Sequence, residues 1–108
     1  MQRIFAADIG GTNARFALFT EHEDNLTLKA AVWEKSAGLH TAEDVLEIMQ
    51  RQLQCPLAEG DALIIALAGP TQGLQGALTN GQLRVDLSGV GQRYGLSCCM
   101  LVNDFTAQ

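Results

Sequence analysis

The sequence has 108 residues, of which 47% are hydrophobic and 18% are charged, and its formal net charge is −5. This length and apolar fraction fit one small globular domain and exclude a disordered chain. The seven basic residues are too few and too dispersed to neutralise a row of phosphates, so we expect no nucleic-acid partner. No run of about 18 apolar residues is present, so we expect no membrane partner.

The amino terminus lacks the apolar stretch and the small-residue cleavage site of a signal peptide, so we expect a cytoplasmic protein. Cys55 is distant from the adjacent pair Cys98 and Cys99, and this spacing gives no thiolate metal site. An odd number of cysteines without a disulfide framework is typical of reduced thiols.

The first third of the chain has the pattern of three short strands. Residues 3–7 and 15–20 are apolar runs, and residues 26–33 alternate in polarity. A tight turn at 10–13 and a polar turn at 21–25 separate them. Strands joined by turns this short must be antiparallel neighbours, so the sequence predicts a three-stranded meander.

The next segment predicts a helix and then a buried strand. Thr41 is a suitable N-cap, apolar residues recur at helical spacing as far as Gln54, and Pro56 stops the helix. The run at 62–68 is too short and too apolar for a surface helix. The helix supplies a crossover, which favours a parallel pairing of this strand with the first.

The last third is polar and rich in glycine before it becomes apolar again. Short strand-like pieces occur at 74–78 and 83–85, Asp86 or Ser88 is suited to cap a short helix that ends near Gly95, residues 97–102 predict a buried strand, and a further helix begins at 105–108. The order βββαβ…βαβ(α) predicts one α/β domain over 1–108. Its mixed sheet combines the antiparallel N-terminal meander with parallel strands flanked by helices.

The most informative segment, residues 8–15, reads Asp-Ile-Gly-Gly-Thr-Asn-Ala-Arg. Consecutive glycines allow positive φ and bring backbone N–H groups close to a ligand. Asp8, at the end of the strand, can bind a phosphate-associated Mg²⁺ directly or through water. An ordinary tight hairpin is the alternative, but the flanking polar residues favour a phosphate loop. Its phosphate contacts would come from Gly10, Gly11, Thr12, Asn13 and Arg15.

Asn103 and Asp104 follow the last predicted strand, where parallel sheets present catalytic groups. Asp104 can accept a hydroxyl proton, and Asn103 can orient that hydroxyl. The alternative is that Asp104 caps the next helix, or that the pair forms a plain turn.

Two further segments and three isolated side chains remain open to more than one interpretation. The Gly69-Pro70 pair either shapes a loop beside a ligand or simply ends a strand, and Thr79-Asn80 either offers polar groups to a ligand or forms a turn. The remaining side chains are less informative: we expect exposed histidines at His22 and His40, and packing in the core or at its rim for Trp33.

Together these segments resemble the N-terminal part of bacterial glucokinases, within the sugar kinase and actin-like ATPase superfamily. The matching blocks are 8–15, 68–70 (Ala-Gly-Pro), 78–80 (Leu-Thr-Asn) and 102–107 (Val-Asn-Asp-Phe-Thr-Ala). The first and last blocks are specific, and the resemblance covers essentially the whole chain. It implies a ribonuclease H-like (actin-like ATPase) lobe, the small N-terminal lobe of a two-lobe sugar kinase whose large lobe is absent from this chain.

The resemblance implies phosphorylation of the 6-hydroxyl of glucose, with ATP and Mg²⁺ as cofactors. By that analogy, Asp104 is the general base, Asn103 hydrogen-bonds sugar hydroxyls, and the hairpin at 8–15 is the first phosphate-binding loop. Asn80 and the Gly69-Pro70 loop would line the sugar cleft. Phosphoryl transfer depends mainly on positioning and charge neutralisation, and these residue types suit a neutral, hydroxyl-rich substrate.

The second phosphate loop, the adenosine-binding segment and the Glu and His residues that complete the family's sugar site are not in this sequence. We therefore expect that the chain alone phosphorylates no sugar, and that it exposes apolar surface and self-associates, as a homodimer or otherwise. The alternatives are a non-catalytic sugar-binding, regulatory or assembly module of the same superfamily, or a kinase for another hexose. The Asn103-Asp104 pair favours the kinase.

Overall fold

The computed structural model describes residues 1–104. In chain order they form β1 (Gln2–Ile9), β2 (Asn13–His22), β3 (Asn25–Lys35), a 3-10 turn (Ser36–Gly38), α1 (Ala42–Leu53), β4 (Ala62–Leu67), β5 (Thr71–Gln72), β6 (Gln75–Ala77), β7 (Arg84–Asp86), α2 (Val90–Tyr94) and β8 (Cys98–Asn103). Strands β3, β2, β1, β4 and β8 lie side by side in a five-stranded sheet, and β5, β6 and β7 form a second sheet. The predicted α/β class is confirmed. Among the described residues no helix is both long and apolar enough to cross a bilayer.

The N-terminal meander is confirmed, with longer strands and a tighter second turn than predicted. β1 pairs antiparallel with β2, and β2 pairs antiparallel with β3. The second turn contains only Glu23 and Asp24, both with positive φ, because His22 and Asn25 already pair across the strands. Polar residues at strand ends thus join the ladder, which hydropathy does not reveal.

The predicted helix is α1, and its start follows the predicted cap. The Thr41 hydroxyl accepts a hydrogen bond from the Asp44 N–H (3.3 Å), and the Asp44 carboxylate accepts from the N–H groups of His40 (2.9 Å) and Thr41 (3.2 Å). These bonds, first that from His40 and then that from Thr41, lower the pKa of Asp44. The helix ends before Pro56, with Gln54 in the left-handed region.

The crossover through α1 makes β4 parallel to β1, as predicted, and β8 continues the parallel pairing beyond β4. Both helices cover the same face of the large sheet: α1 packs on β2 and β3, and α2 packs on β8. The side chains between the helices and the large sheet form the hydrophobic core. Its largest fully buried members include Phe5, Ile9, Phe16, Leu46, Met49, Leu63, Ile65 and Leu67.

The opposite face of the large sheet, here called the open face, is covered by no described helix. Strand alternation places Ile4, Ala6 and Asp8 of β1 on this face, while Phe5, Ala7 and Ile9 are buried in the core. The registers place Leu28 and Met100 on the same face, where they are 49% and 44% exposed. The open face therefore presents apolar surface to solvent.

Two predictions for the last third need correction. Neither Asp86 nor Ser88 caps α2: the cap is Gly89 at φ 82°, without a side-chain hydrogen bond, because the Asp86 carboxylate accepts from the Ser88 N–H in the preceding turn. The helix does end at Gly95. The predicted buried strand β8 has only Leu101 buried, because it lies at the edge of the described sheet. The pieces predicted around 74–78 and 83–85 belong to the separate small sheet, which β5 also joins. The helix predicted at 105–108 lies outside the described residues.

An ion pair between half-buried Arg3 and buried Asp61 closes the end of the sheet where β1 and β4 begin. The Arg3 guanidinium donates to both carboxylate oxygens of Asp61 (3.0 and 2.6 Å), and the Ala58 N–H donates to the same carboxylate (2.8 Å). Asp61 is only 5% exposed. The Asp61 hydrogen bond, opposed by desolvation, raises the pKa of Arg3. The pair could not be predicted from the sequence, because its members lie 58 residues apart.

We expect Arg3→Met to lower the free energy of unfolding by about 1–3 kcal/mol, the cost of leaving a buried polar group without its partner. The double variant Arg3→Met/Asp61→Leu should recover part of that loss, because it removes the buried charge as well. Urea denaturation of the wild type and the variants measures both. A double variant that is less stable than Arg3→Met would contradict this account.

Candidate active site

The carboxyl ends of β1, β4 and β8 meet at one edge of the large sheet. The parallel registers align Ile9 with Leu67 and Leu67 with Asn103, so the three strands end level with one another. The Asp104 N–H donates to the Leu67 carbonyl (2.9 Å), which continues the alignment one residue further. Most of the predicted site residues follow these ends directly and are therefore brought together.

Ser36 anchors the hairpin between β1 and β2 through two hydrogen bonds. The Ser36 hydroxyl donates to the Gly10 carbonyl (2.6 Å), and the Ser36 N–H donates to the Thr12 carbonyl (3.0 Å). The Gly10 N–H donates to the Asn13 carbonyl within the turn (2.9 Å). Ser36 is buried, and it was not predicted as a site residue because nothing in the sequence shows what lies beneath the hairpin.

Gly11 serves a different purpose from the one predicted. It does not adopt positive φ; instead, a Cβ at this position would lie 2.7 Å from the Asn80 carbonyl oxygen. The glycine is therefore needed for the close approach of two backbones. This approach forms a cleft of about 200 Å³, the hairpin cleft, which Gly11, Thr12, Ala68, Thr79 and Asn80 line.

A second close approach holds the small sheet against the end of β4. A Cβ on Gly69 would lie 1.8 Å from the Ala77 carbonyl oxygen, and the Thr79 N–H donates to the Ala68 carbonyl (3.1 Å). These contacts carry the chain from β6 to Asn80 and so place Asn80 beside the hairpin. Pro70 does not line the hairpin cleft: it is exposed and lines a concave surface of the small sheet.

Asn103 connects the end of β8 with the Gly69 loop. Its side-chain amide donates to the Gly69 carbonyl. Its amide oxygen is buried and has no hydrogen-bond partner among the described residues. A buried acceptor without a partner is costly, so this oxygen is suited to accept a hydrogen bond from a ligand.

Asp8, Arg15 and Asp104 line a cleft of about 250 Å³ on the open face, here called the carboxylate cleft. Its floor consists of small or apolar side chains, including Ala6, Ala17 and Ala66. Partial burial and, next, the negative charge of Asp104 and a hydrogen bond with it raise the pKa of Asp8, while Arg15 opposes the shift. A cation bound here would relieve the repulsion between the two carboxylates.

The donor set at the carboxylate cleft suits Mg²⁺ better than a metal that requires a complete protein cage. Among residues 1–104 no group of three or more His, Cys, Asp or Glu side chains could enclose a metal ion. Asp8 and Asp104 can supply one or two oxygen ligands. Mg²⁺ typically keeps several waters and shares its coordination between a carboxylate or two and substrate phosphates.

The sequence model of the glucokinase family matches residues 5–108. The chain belongs to the glucokinase family. A glucokinase of Caulobacter vibrioides is 38% identical over 103 residues, which cover 94% of this chain and 30% of that protein. A bifunctional protein glk of Paraburkholderia xenovorans is 33% identical over 102 residues, or 15% of its length.

The fold of this glucokinase-family chain also matches a solved relative. The crystal structure of a glucokinase from an Antarctic psychrotroph superposes with a TM-score of 0.76 at 27% identity, over 97% of this chain and 33% of that one. The expected actin-like ATPase lobe is thus confirmed. The chain spans about 30% of the length of its glucokinase relatives.

Trp33 corrects one prediction and the histidines confirm another. Trp33 is 70% exposed rather than packed in the core, and the guanidinium carbon of Arg15 lies 5.8 Å from the centroid of its ring. This contact could not be predicted from the sequence, because it depends on the strand register that places Arg15 opposite Trp33. His22 and His40 are exposed, as predicted.

We expect Gly69→Ala to lower the free energy of unfolding by more than about 1 kcal/mol, because the added methyl group overlaps the Ala77 carbonyl and the backbones must separate. Gly38→Ala is the matched control, since among the described residues no heavy atom beyond its chain neighbours lies within 4 Å of its added methyl group. Urea denaturation gives both values. Equal stability of the two variants would show that the contact at Gly69 is unimportant.

We expect Asp8→Asn to stabilise the chain at pH 7 by less than about 1 kcal/mol, since the site is largely solvated. The folded state raises the pKa of Asp8, so this group favours folding below its ordinary pKa of 3.8 and loses that contribution as the pH rises through the folded value. The gain should therefore vanish in acid. Glu21→Gln removes the same charge at an exposed position and is the control in thermal unfolding from pH 3 to 7; a gain of the same size for that variant would contradict the account.

Proposed function

We propose that this chain is the small lobe of an enzyme that transfers the terminal phosphate of ATP to the 6-hydroxyl of glucose. The observation that carries this proposal is the convergence of Asp8, Arg15, Asn103 and Asp104 at the carboxyl edge of three parallel strands. Membership of the glucokinase family supports it. The rest of the enzyme, by length about two thirds of its relatives, would supply the other half of each binding site.

Asp104 is proposed as the general base that accepts the proton of the attacking hydroxyl. Asp104 follows the end of β8 beside Asp8 in the carboxylate cleft, within reach of a hydroxyl group bound at this edge of the sheet. Asp8 would also hold Mg²⁺, which supplies neutralisation of phosphate charge when bound. No basic side chain is needed at the sugar, because glucose is neutral.

The sugar would be oriented by Asn103 and Asn80. The buried Asn103 oxygen, which has no hydrogen-bond partner among residues 1–104, accepts from a sugar hydroxyl, and the amide hydrogen bond to Gly69 fixes the side chain. Gly69 thus acts through its carbonyl and its close packing. Pro70, which the family resemblance also implied as a sugar contact, lines neither cleft and is better placed to shape the loop.

The phosphates would bind at the hairpin between β1 and β2. The Gly10 N–H already donates to the Asn13 carbonyl, so Gly10 contributes the shape of the turn rather than a phosphate contact. The groups that remain for phosphate are the side chains of Thr12, Asn13 and Arg15 and the backbone at Gly11. A guanidinium, a hydroxyl and an amide on a glycine turn suit a polyphosphate.

The test is a chimaeric enzyme in which residues 1–104 replace the matching part of the Caulobacter vibrioides glucokinase. We expect glucose-dependent ATP turnover, and a loss of about 10²- to 10⁴-fold in kcat for Asp104→Asn, the range for removal of a general base. Asp24→Asn, in the turn after β2, is the matched control. Near-normal kcat for Asp104→Asn would remove Asp104 from the role.

The same chimaera separates the kinase from the alternatives. Glucose binding without turnover would favour a sugar-binding or regulatory module, and faster turnover of another hexose would change the substrate. The 108-residue chain alone should phosphorylate no sugar. A cytoplasmic location without nucleic-acid or membrane partners belongs to the proposal, and the net charge of −5 supports the absence of nucleic acid.

We also propose that the isolated chain self-associates through the open face, because that face presents apolar side chains to solvent. Leu28→Lys should shift the chain toward monomer in light scattering at high concentration, since it places a charge among these side chains. Gln52→Lys adds the same charge on exposed α1 and is the control. A wild-type chain that stays monomeric would contradict the proposal.

A further inference from the structure

Asp8, Arg15 and Trp33 stand in one row across three neighbouring strands. The register of β1 and β2 pairs Asp8 with Arg15, and the register of β2 and β3 pairs Arg15 with Trp33. Residues directly opposite each other in antiparallel strands project from the same face and interact. Arg15 therefore has a carboxylate on one side and an indole ring on the other, both on the open face.

The Arg15 guanidinium contacts Trp33 and forms no ion pair with Asp8. Opposite charges directly across two strands are expected to form an ion pair. Yet no ion pair within 4.0 Å joins Arg15 to Asp8, although three other arginines in the described part of the chain pair with carboxylates. The guanidinium carbon lies instead 5.8 Å from the centroid of the Trp33 ring, within the usual range of a cation–π contact.

The contact with Trp33 suits an anion-binding cleft because of the geometry of the guanidinium. Its face can rest on an aromatic ring while its N–H donors, which lie in the plane, remain able to bind an anion. An ion pair with Asp8 would use those donors. Burial does not account for the position of the ring, because Trp33 is 70% exposed.

We propose that Trp33 is a positioning residue that holds the Arg15 guanidinium away from Asp8 and keeps its donors available to a polyphosphate at the mouth of the carboxylate cleft. The polyphosphate role rests on the proposed function. The contact between Arg15 and Trp33, and its effect on Arg15, do not depend on it. Trp33 acts through Arg15 and needs no contact with the ligand.

The first test observes Arg15 in the full 108-residue chain by NMR. We compare the wild type with Trp33→Leu and with the conservative variant Trp33→Phe. In Trp33→Leu the Arg15 side-chain signals should lose their ring-current shift, and the side chain should become more mobile. Trp33→Phe should retain part of the ring-current shift and part of the restriction on mobility. The Arg51 side chain, on α1, is the internal reference. Arg15 signals that are the same in the wild type and in Trp33→Leu would overturn the proposal.

The second test measures binding of inorganic triphosphate to the same chains through the amide signals of the hairpin. Trp33→Leu should weaken binding about two- to fivefold, the range of an exposed cation–π contact, and Trp33→Phe should bind nearly as the wild type does. In an Arg15→Gln background Trp33→Leu should have no further effect. A loss that persists in that background, or no binding by the wild type, would overturn the positioning role. Turnover by the chimaeric enzyme is measured separately, so the two proposals can fail independently.

Discussion

The contact between Gly69 and the Ala77 carbonyl is the constraint on which the arrangement of the site depends. It allows the backbone of the small sheet to press directly on the end of β4, closer than any side chain would permit. From there the chain reaches Asn80, which meets the hairpin at Gly11 through another contact that excludes a side chain. Two glycines thus join the two sheets, and Asn103 fastens the last strand to the first of these contacts.

Those parts of the fold that local sequence determines could be predicted. The meander followed from short turns, and α1 followed from helical spacing and the cap at Thr41. What could not be predicted depends on distant partners. The Ser88 N–H engages the Asp86 carboxylate in a turn, so neither residue caps α2, and the exposure of β8 depends on which strands lie beside it.

The candidate site shows the same division. The residues at the ends of strands, such as Asp8 and Asp104, could be found because parallel strands carry functional groups at their carboxyl ends. Ser36 and Trp33 could not, because their roles come from what the fold places next to them. The pairing of β2 with β3 shifts register between Leu18 and Phe19, and this shift helps to set Trp33 opposite Arg15. No pattern in the sequence fixes where the shift occurs.

The ion pair of Arg3 and Asp61 lies at the opposite end of β1 from Asp8. Asp8 lies five residue steps along the extended strand from Arg3, a span of about 16 Å. Effects of mutations at sites this far apart normally add. Stability can therefore be raised or lowered at one end of the strand and chemistry altered at the other without either confounding the other. For a lobe with a small core, stability and site chemistry can therefore be changed by separate substitutions at the two ends of a single strand.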